Sequence, residues 1–172
     1  MRVAKVLIVF ASMVLSACQT IEPSTPSVRP EVTISASAAE VKAAFVAVML
    51  NLDRSMLLAR DSDFQVVLES PLDSFRAIFV SRTDLDPVSE QRFTATLLNL
   101  GARQTQIFVD LAIVRNGGTA REQISTNINS EDGIEIQNIL NDIKAGLEAG
   151  LPVGRVVADA VTAVRSRFAT TA

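Results

Sequence analysis

Residues 92–114 constrain the fold more than any other part of the chain. Two apolar-rich runs, 92–100 and 105–114, are joined by Gly101, Ala102 and Arg103. In the second run Ile107, Val109, Leu111 and Ile113 alternate with Gln106, Phe108, Asp110 and Ala112. A two-residue period sends successive side chains to opposite sides of a strand, so one face is strongly apolar and the other wetter. Two such runs around a short glycine-bearing turn make an antiparallel pair, whose apolar face must be covered from elsewhere.

The cover is written in helical spacing on both sides of this hairpin. Ser37 and Glu40 are spaced as a capping box, in which the serine side chain meets the third helical N–H and the glutamate reaches back. Val41, Ala44, Phe45, Val48, Met49 and Leu52 then share one helical face, and Asp53, Arg54 and Ser55 end it. Residues 56–59 and 64–69 are short apolar runs split by Asp61, Ser62 and Asp63, the pattern of a second hairpin. After Pro71, residues 73–82 put Phe75, Ile78 and Phe79 on one side: a short helix capped by Asp73 or Ser74, with a strand as the competing reading. Residues 84–87 form a loop ending in Pro87. Asn116, Gly117 and Gly118 make a turn, followed at 121–127 by a more polar, peripheral strand.

Two helices close the chain. Ile136, Ile139, Leu140, Ile143 and Leu147 form a stripe, and Gly150 stands where a left-handed C-terminal cap belongs. Pro152 suits the first turn of another helix, along which Val153, Val156, Val157, Ala160, Val161, Val164 and Phe168 recur. No internal repeat is visible. The expected fold is α+β, an antiparallel sheet of about four to five strands with helices packed on one face.

The beginning of the chain has another character. Arg2 and Lys5 precede an apolar run over 6–14, and Leu15, Ser16 and Ala17 lead into Cys18, the only cysteine. A basic start, a short apolar stretch and small residues at a cleavage point make an export signal. The run is too short to span a bilayer, which takes about 20 apolar residues. Leu15-Ser16-Ala17-Cys18 resembles the lipobox of bacterial lipoproteins. That resemblance implies cleavage before Cys18, a diacylglyceryl group on its thiol and acylation of its new amino end. Two or more acyl chains anchor stably where one does not. By the same resemblance, Gln19 rather than Asp after the cysteine implies sorting to the outer membrane, facing the periplasm.

Pro23, Pro26 and Pro30 lie among Ser, Thr and Glu in residues 19–34, a composition that favours an extended, solvated spacer. The expected organisation is a signal peptide at 1–17, a lipidated cysteine and tether at 18–34, an α+β domain at 35–150 and an amphipathic C-terminal helix at 151–172.

Composition narrows the function classes. Loss of Arg2 and Lys5 leaves 14 of the 16 basic side chains against 19 acidic ones. A mildly acidic domain offers no basic stripe to nucleic acid and no electrostatic docking to anionic lipid. There is no histidine, tryptophan or tyrosine. Without histidine, Ser-His-Asp and Cys-His sites cannot be assembled, nor a zinc site of the usual Cys/His kind. Carboxylates, Lys42, Lys144, arginines and hydroxyls remain.

Each candidate for chemistry has a plainer structural reading. Residues 127–133 alternate oxygen-bearing side chains before Gly133, but the glycine is seventh rather than sixth and the twelfth position is Asn138. A calcium loop requires glycine at six and glutamate at twelve, so a strand end leading into a helix cap is the expectation. Asp84 and Asp86 belong to a solvated loop. Asp110 is expected on the wetter sheet face, meeting Arg92, Arg121 or Arg103, rather than serving as a raised-pKa acid. The last helix, with Val153, Val156, Val157, Val161 and Val164 as a possible interaction face, is expected to pack on its own domain, with partner binding as the alternative.

The reading is of a small, lipid-anchored envelope lipoprotein. It is held to the membrane by the covalent N-terminal lipid, with no cofactor or metal and an envelope protein as partner. It is expected to act as a non-enzymatic binding or accessory module. A carrier or sensor of a small apolar ligand is the alternative, and an enzyme built on Asp110 or another carboxylate comes third.

Overall fold

The computed structural model describes residues 29–71, 89–118, 120–126 and 130–171. Six strands form one antiparallel sheet: β1 (Glu31–Ile34), β2 (Leu57–Asp61), β3 (Gln65–Pro71), β4 (Ser89–Gly101), β5 (Gln104–Arg115) and β6 (Gln123–Ser125). Their spatial order is β1-β5-β4-β3-β2, and β6 pairs with β5 as well. Since β4 occupies the whole of one side of β5, β1 and β6 share the other side. Three helices, α1 (Ala38–Leu52), α2 (Ser130–Glu148) and α3 (Val153–Thr171), lie on one face. The fold is α+β.

The central hairpin is the one expected from residues 92–114, lengthened at both ends. Its inner face presents Phe93, Ala95 and Leu97 opposite Leu111, Val109 and Ile107, all buried. On β3, Val66 and Leu68 continue the same rows. Val41, Ala44, Phe45, Val48 and Met49 of α1 pack onto this surface, as do Ile136, Ile139, Leu140, Ile143 and Leu147 of α2. Buried apolar surface contributes about 25 cal/mol per Å², so this core is the main stabilising element of a chain without a disulfide.

Local signals work as their chemistry requires. The Ser37 side chain accepts from the Glu40 N–H at 3.3 Å, and the Ser37 N–H donates back to Glu40 Oε2 at 3.0 Å. At the end of α2, Gly150 takes φ 75°; its N–H donates to the Leu147 carbonyl and the Leu151 N–H to that of Gly146. Those two bonds make a Schellman cap. Pro152 stands just before α3, and its carbonyl accepts from Val156. Gly146 has a packing role: a Cβ there would lie 2.8 Å from Val156 Cγ2, so its bare backbone sets how closely α2 and α3 approach.

One element departs from expectation. Glu31–Ile34, placed in the tether by composition, is strand β1, paired with residues 105–108 of β5. Four residues after a proline are too few to show a period; tertiary bonds hold them. The Lys144 ammonium donates to the Thr33 carbonyl at 2.6 Å. Gln137 bonds both backbone groups of Glu31, and the Ser35 N–H donates to Glu148. The peripheral strand expected over 121–127 is confined to Gln123–Ser125. The helix expected over 73–82 and the loop at 84–87 lie outside the described residues.

Candidate functional site

The residues singled out by sequence do not converge. Leu15, Ser16, Ala17 and Cys18 lie outside the described residues. Asp110 is on the outer sheet face as expected, but its partner is different. Arg29, just before β1, reaches it at 2.7 Å and stacks over the Phe108 ring at 4.7 Å. Of the arginines expected there, Arg92 is engaged elsewhere, by Glu69 and Glu122 at 2.7 and 3.2 Å. With both groups about half exposed, the Asp110 ion pair is a surface interaction and not a catalytic acid in a cleft. Residues 127–129 of the loop-like segment are outside the described residues, and Ser130 to Gly133 already belong to α2.

The valine face of α3 is docked. Val156, Ala160, Val161 and Val164 are buried, with Val153, Val157 and Phe168 packed partly against the core. Its principal neighbours are α1 and α2. Arg167 clasps Glu135 at 2.8 Å and Asp142 at 2.9 Å, tying the end of α3 back to α2. This face is part of the domain's own interior, which leaves it unavailable as the interaction surface named above.

A polar region that sequence reading passed over lies on the inner sheet face, at the end away from the β4–β5 hairpin. Strand register aligns Ser70 of β3 with Gln91 of β4, Gln91 with Ile113 of β5, and Ile113 with Ser125 of β6. One residue pair further along, Arg115 is opposite Gln123. Cross-strand partners share a face, so a row of largely polar side chains continues directly from the apolar rows.

Asp53, at the C-cap of α1, comes down on the Ser70 end of this row. It is only 6% exposed, and Ser70 1%. The Ser70 hydroxyl donates to one carboxylate oxygen of Asp53; the other accepts from the Ser55 N–H at 2.8 Å and the Ser55 hydroxyl at 2.6 Å. Hydroxyl and amide donors thus satisfy this buried carboxylate, joining the end of α1 to β3. Gln91 is 7% exposed, yet no hydrogen bond of its side-chain amide is found among the described residues.

At the other end of the row is a cavity of about 280 Å³ lined by Ile113, Arg115, Gln123, Ile124 and Ser125. Its polar members are exposed, so it is an open depression rather than an enclosed chamber. The Arg115 guanidinium has no ion pair among the described residues, and neither Gln123 nor Ser125 has a side-chain hydrogen bond there.

On the opposite face the turn after β5 folds back over the sheet. A Cβ on Gly117 would lie 2.9 Å from Glu90 Oε2, the far end of a flexible side chain, so the turn passes close to β4 here. Glu122 is held below the usual carboxylate range by the Gly118 N–H and by Arg92. Partial burial alone would lower Arg92, but its bonds to Glu69 and Glu122 outweigh that and raise it. Asp132, in the first turn of α2, is pushed up by burial and by neighbouring Glu131. Among the described residues no three acidic or cysteine side chains are grouped to hold a metal.

Edge strand β2 is the third candidate surface. All five of its residues are exposed, Leu57 at 68%, and its outer backbone groups face away from β3. A bulge between Leu58 and Arg60 breaks its register, and Arg60 and Asp61 add charge. Both features discourage uncontrolled strand addition. The remaining exposed apolar residues, including Phe64, Leu98, Leu100 and Ile134, are spread over turns, hairpin ends and a helix start. No helix among the described residues is long and apolar enough to cross a membrane.

Compared with protein-family models, curated proteins and solved structures, the chain matches none of them.

Proposed function

We propose that this chain is a lipid-anchored lipoprotein of the bacterial envelope, facing the periplasm, in which the α+β domain is a non-enzymatic binding or accessory module. The observation that carries the reading is Leu15-Ser16-Ala17-Cys18 in register behind a basic start and a short apolar run. A proline-rich spacer then precedes a single sheet-and-helix domain. The carboxylates support this reading through their engagement: Asp53 is bonded to serines and Asp110 to Arg29. A protein partner in the envelope is proposed with it, with the exposed side chains of β2, an edge strand among the described residues, as one available surface.

The anchor is tested by labelling cells with radioactive palmitate and fractionating their membranes. The native chain is expected to carry label and sediment with membrane. Cys18→Ala is expected to lose label and become soluble; retention of that variant on the membrane would show the anchoring argument to be wrong. Crosslinking in living cells, native chain against Cys18→Ala, then tests for a stoichiometric envelope partner.

A second reading, carrier or sensor of a small apolar ligand, takes the open cavity at Ile113, Arg115 and Ser125 as its candidate site. Purification with a retained metabolite and no protein partner would support it over the accessory module.

A further inference from the structure

The cavity between β5 and β6 combines features that select a ligand class. Register places Ile113, Arg115, Gln123 and Ser125 on one face of the sheet. Ile113 gives it an apolar floor, and Arg115 supplies one cation without an ion pair among the described residues. The Gln123 amide and the Ser125 hydroxyl are neutral groups on the same lining. One strand over, beside Ile113, Gln91 keeps a buried amide with no hydrogen bond among the described residues.

We propose that this cavity binds a short aliphatic carboxylate, with the carboxylate on Arg115 and the hydrocarbon against Ile113. A guanidinium matches the two coplanar oxygens of a carboxylate through paired N–H donors. A single arginine compensates a single negative charge. A phosphate monoester, carrying about −1.5 to −2, would stay largely uncompensated in a domain already acidic overall. The depression, about 280 Å³, has room for a short chain beside the guanidinium. This inference rests on the small-ligand reading and is independent of the anchor.

The test is titration of the isotope-labelled protein, expressed from its full sequence, with hexanoate, hexanamide and inorganic phosphate, followed by amide chemical shifts. Hexanoate is expected to shift Ile113, Arg115 and Ser125 saturably, with hexanamide at least about tenfold weaker. Arg115→Gln should weaken hexanoate by about tenfold or more, as loss of a charged hydrogen-bond donor does. Arg103→Gln, on the turn at the far end of the sheet, should leave binding unchanged. Equal binding of hexanamide, or no effect of Arg115→Gln, would overturn the carboxylate assignment while leaving a small-ligand carrier standing. Phosphate binding tighter than hexanoate would overturn the ligand class. No saturable shift with any of the three would overturn both the inference and the carrier reading.

Discussion

Towards the β4–β5 hairpin, the inner face of the sheet is Phe93, Ala95, Leu97, Ile107, Val109 and Leu111, all buried beneath helices. Along the same strands in the other direction it becomes Ser70, Gln91, Ile113 and Ser125, then Arg115 and Gln123. The hydrogen-bonded ladder is continuous across both, and so is the alternation of faces. What changes is the cover: α1 ends at Leu52, and its cap Asp53 bonds to Ser70 at the boundary. Packing neighbours, rather than strand propensity, therefore set the composition of each end: apolar helix faces at one, the Asp53 carboxylate on Ser70 at the other. The apolar end holds the fold together; the polar end is buried at Ser70 and Gln91 and exposed at Arg115, Gln123 and Ser125.

The sharpest way to break this contrast is to make a cavity in the covered end. Phe93 is fully buried at the centre of β4. Phe93→Ala is expected to cost about 3–5 kcal/mol, from lost transfer energy and an incompletely collapsed void. Urea denaturation measures it as a lowered midpoint. A cost below about 1 kcal/mol would mean that this end is not the core.

The boundary comes next. Asp53→Ala leaves the Ser70 and Ser55 donors without their buried acceptor, an expected loss of about 1–3 kcal/mol. Amide exchange should also speed up selectively at the end of α1, because the cap joins that turn to β3. Uniform exchange changes would place the role of Asp53 elsewhere.

Much of the covered end was legible before the structure. The hairpin at 92–114 repeats its period long enough to declare itself, and the stripes of all three helices are the residues that became core. Ser37 with Glu40 and Gly150 with Pro152 are short-range chemistry, and short range is what a linear reading captures. The polar end escaped it for the converse reason. Ser70, Gln91, Ile113 and Ser125 come together only through strand register, and each alone is an unremarkable strand residue. Arg29 and Asp110 are 81 positions apart, so no local pattern could pair them. β1 was hidden because its four residues follow Pro30 and owe their conformation to β5 and α2.

Acid should distinguish the cap of α1 from the interior it covers. Glu40 is held below the ordinary glutamate value by the Ser37 hydroxyl and N–H, and Glu148 by the Ser35 N–H with help from Lys144. A carboxylate depressed on folding stabilises the fold above its unfolded pKa, and that contribution is lost as pH falls through the folded value. Thermal stability is thus expected to decline from near pH 4.5 downwards. Asp132 works the other way: its raised value favours the protonated form in the fold, which opposes part of that decline. Glu40→Gln should shallow the acid limb, and Ser37→Ala should cost about 1 kcal/mol at neutral pH. An acid limb unchanged in Glu40→Gln would remove the capping box from the account.

The smallest expected effect carries the most information about the polar end. Gln91 is as buried as a core residue but has no hydrogen bond to its amide among the described residues. Gln91→Met keeps a straight side chain of similar length and removes the polar groups, so desolvation of an unpaired amide no longer opposes folding. Stability should be unchanged or raised by up to about 1 kcal/mol, whereas the same kind of change at Asp53 is destabilising. If the cavity works as proposed, this variant should gain or hold stability while its hexanoate affinity falls or stays level. A loss of 1 kcal/mol or more in Gln91→Met would instead place its amide in the structural network with Asp53 and Ser70, and the line between the two ends of the sheet would move one strand pair towards the cavity.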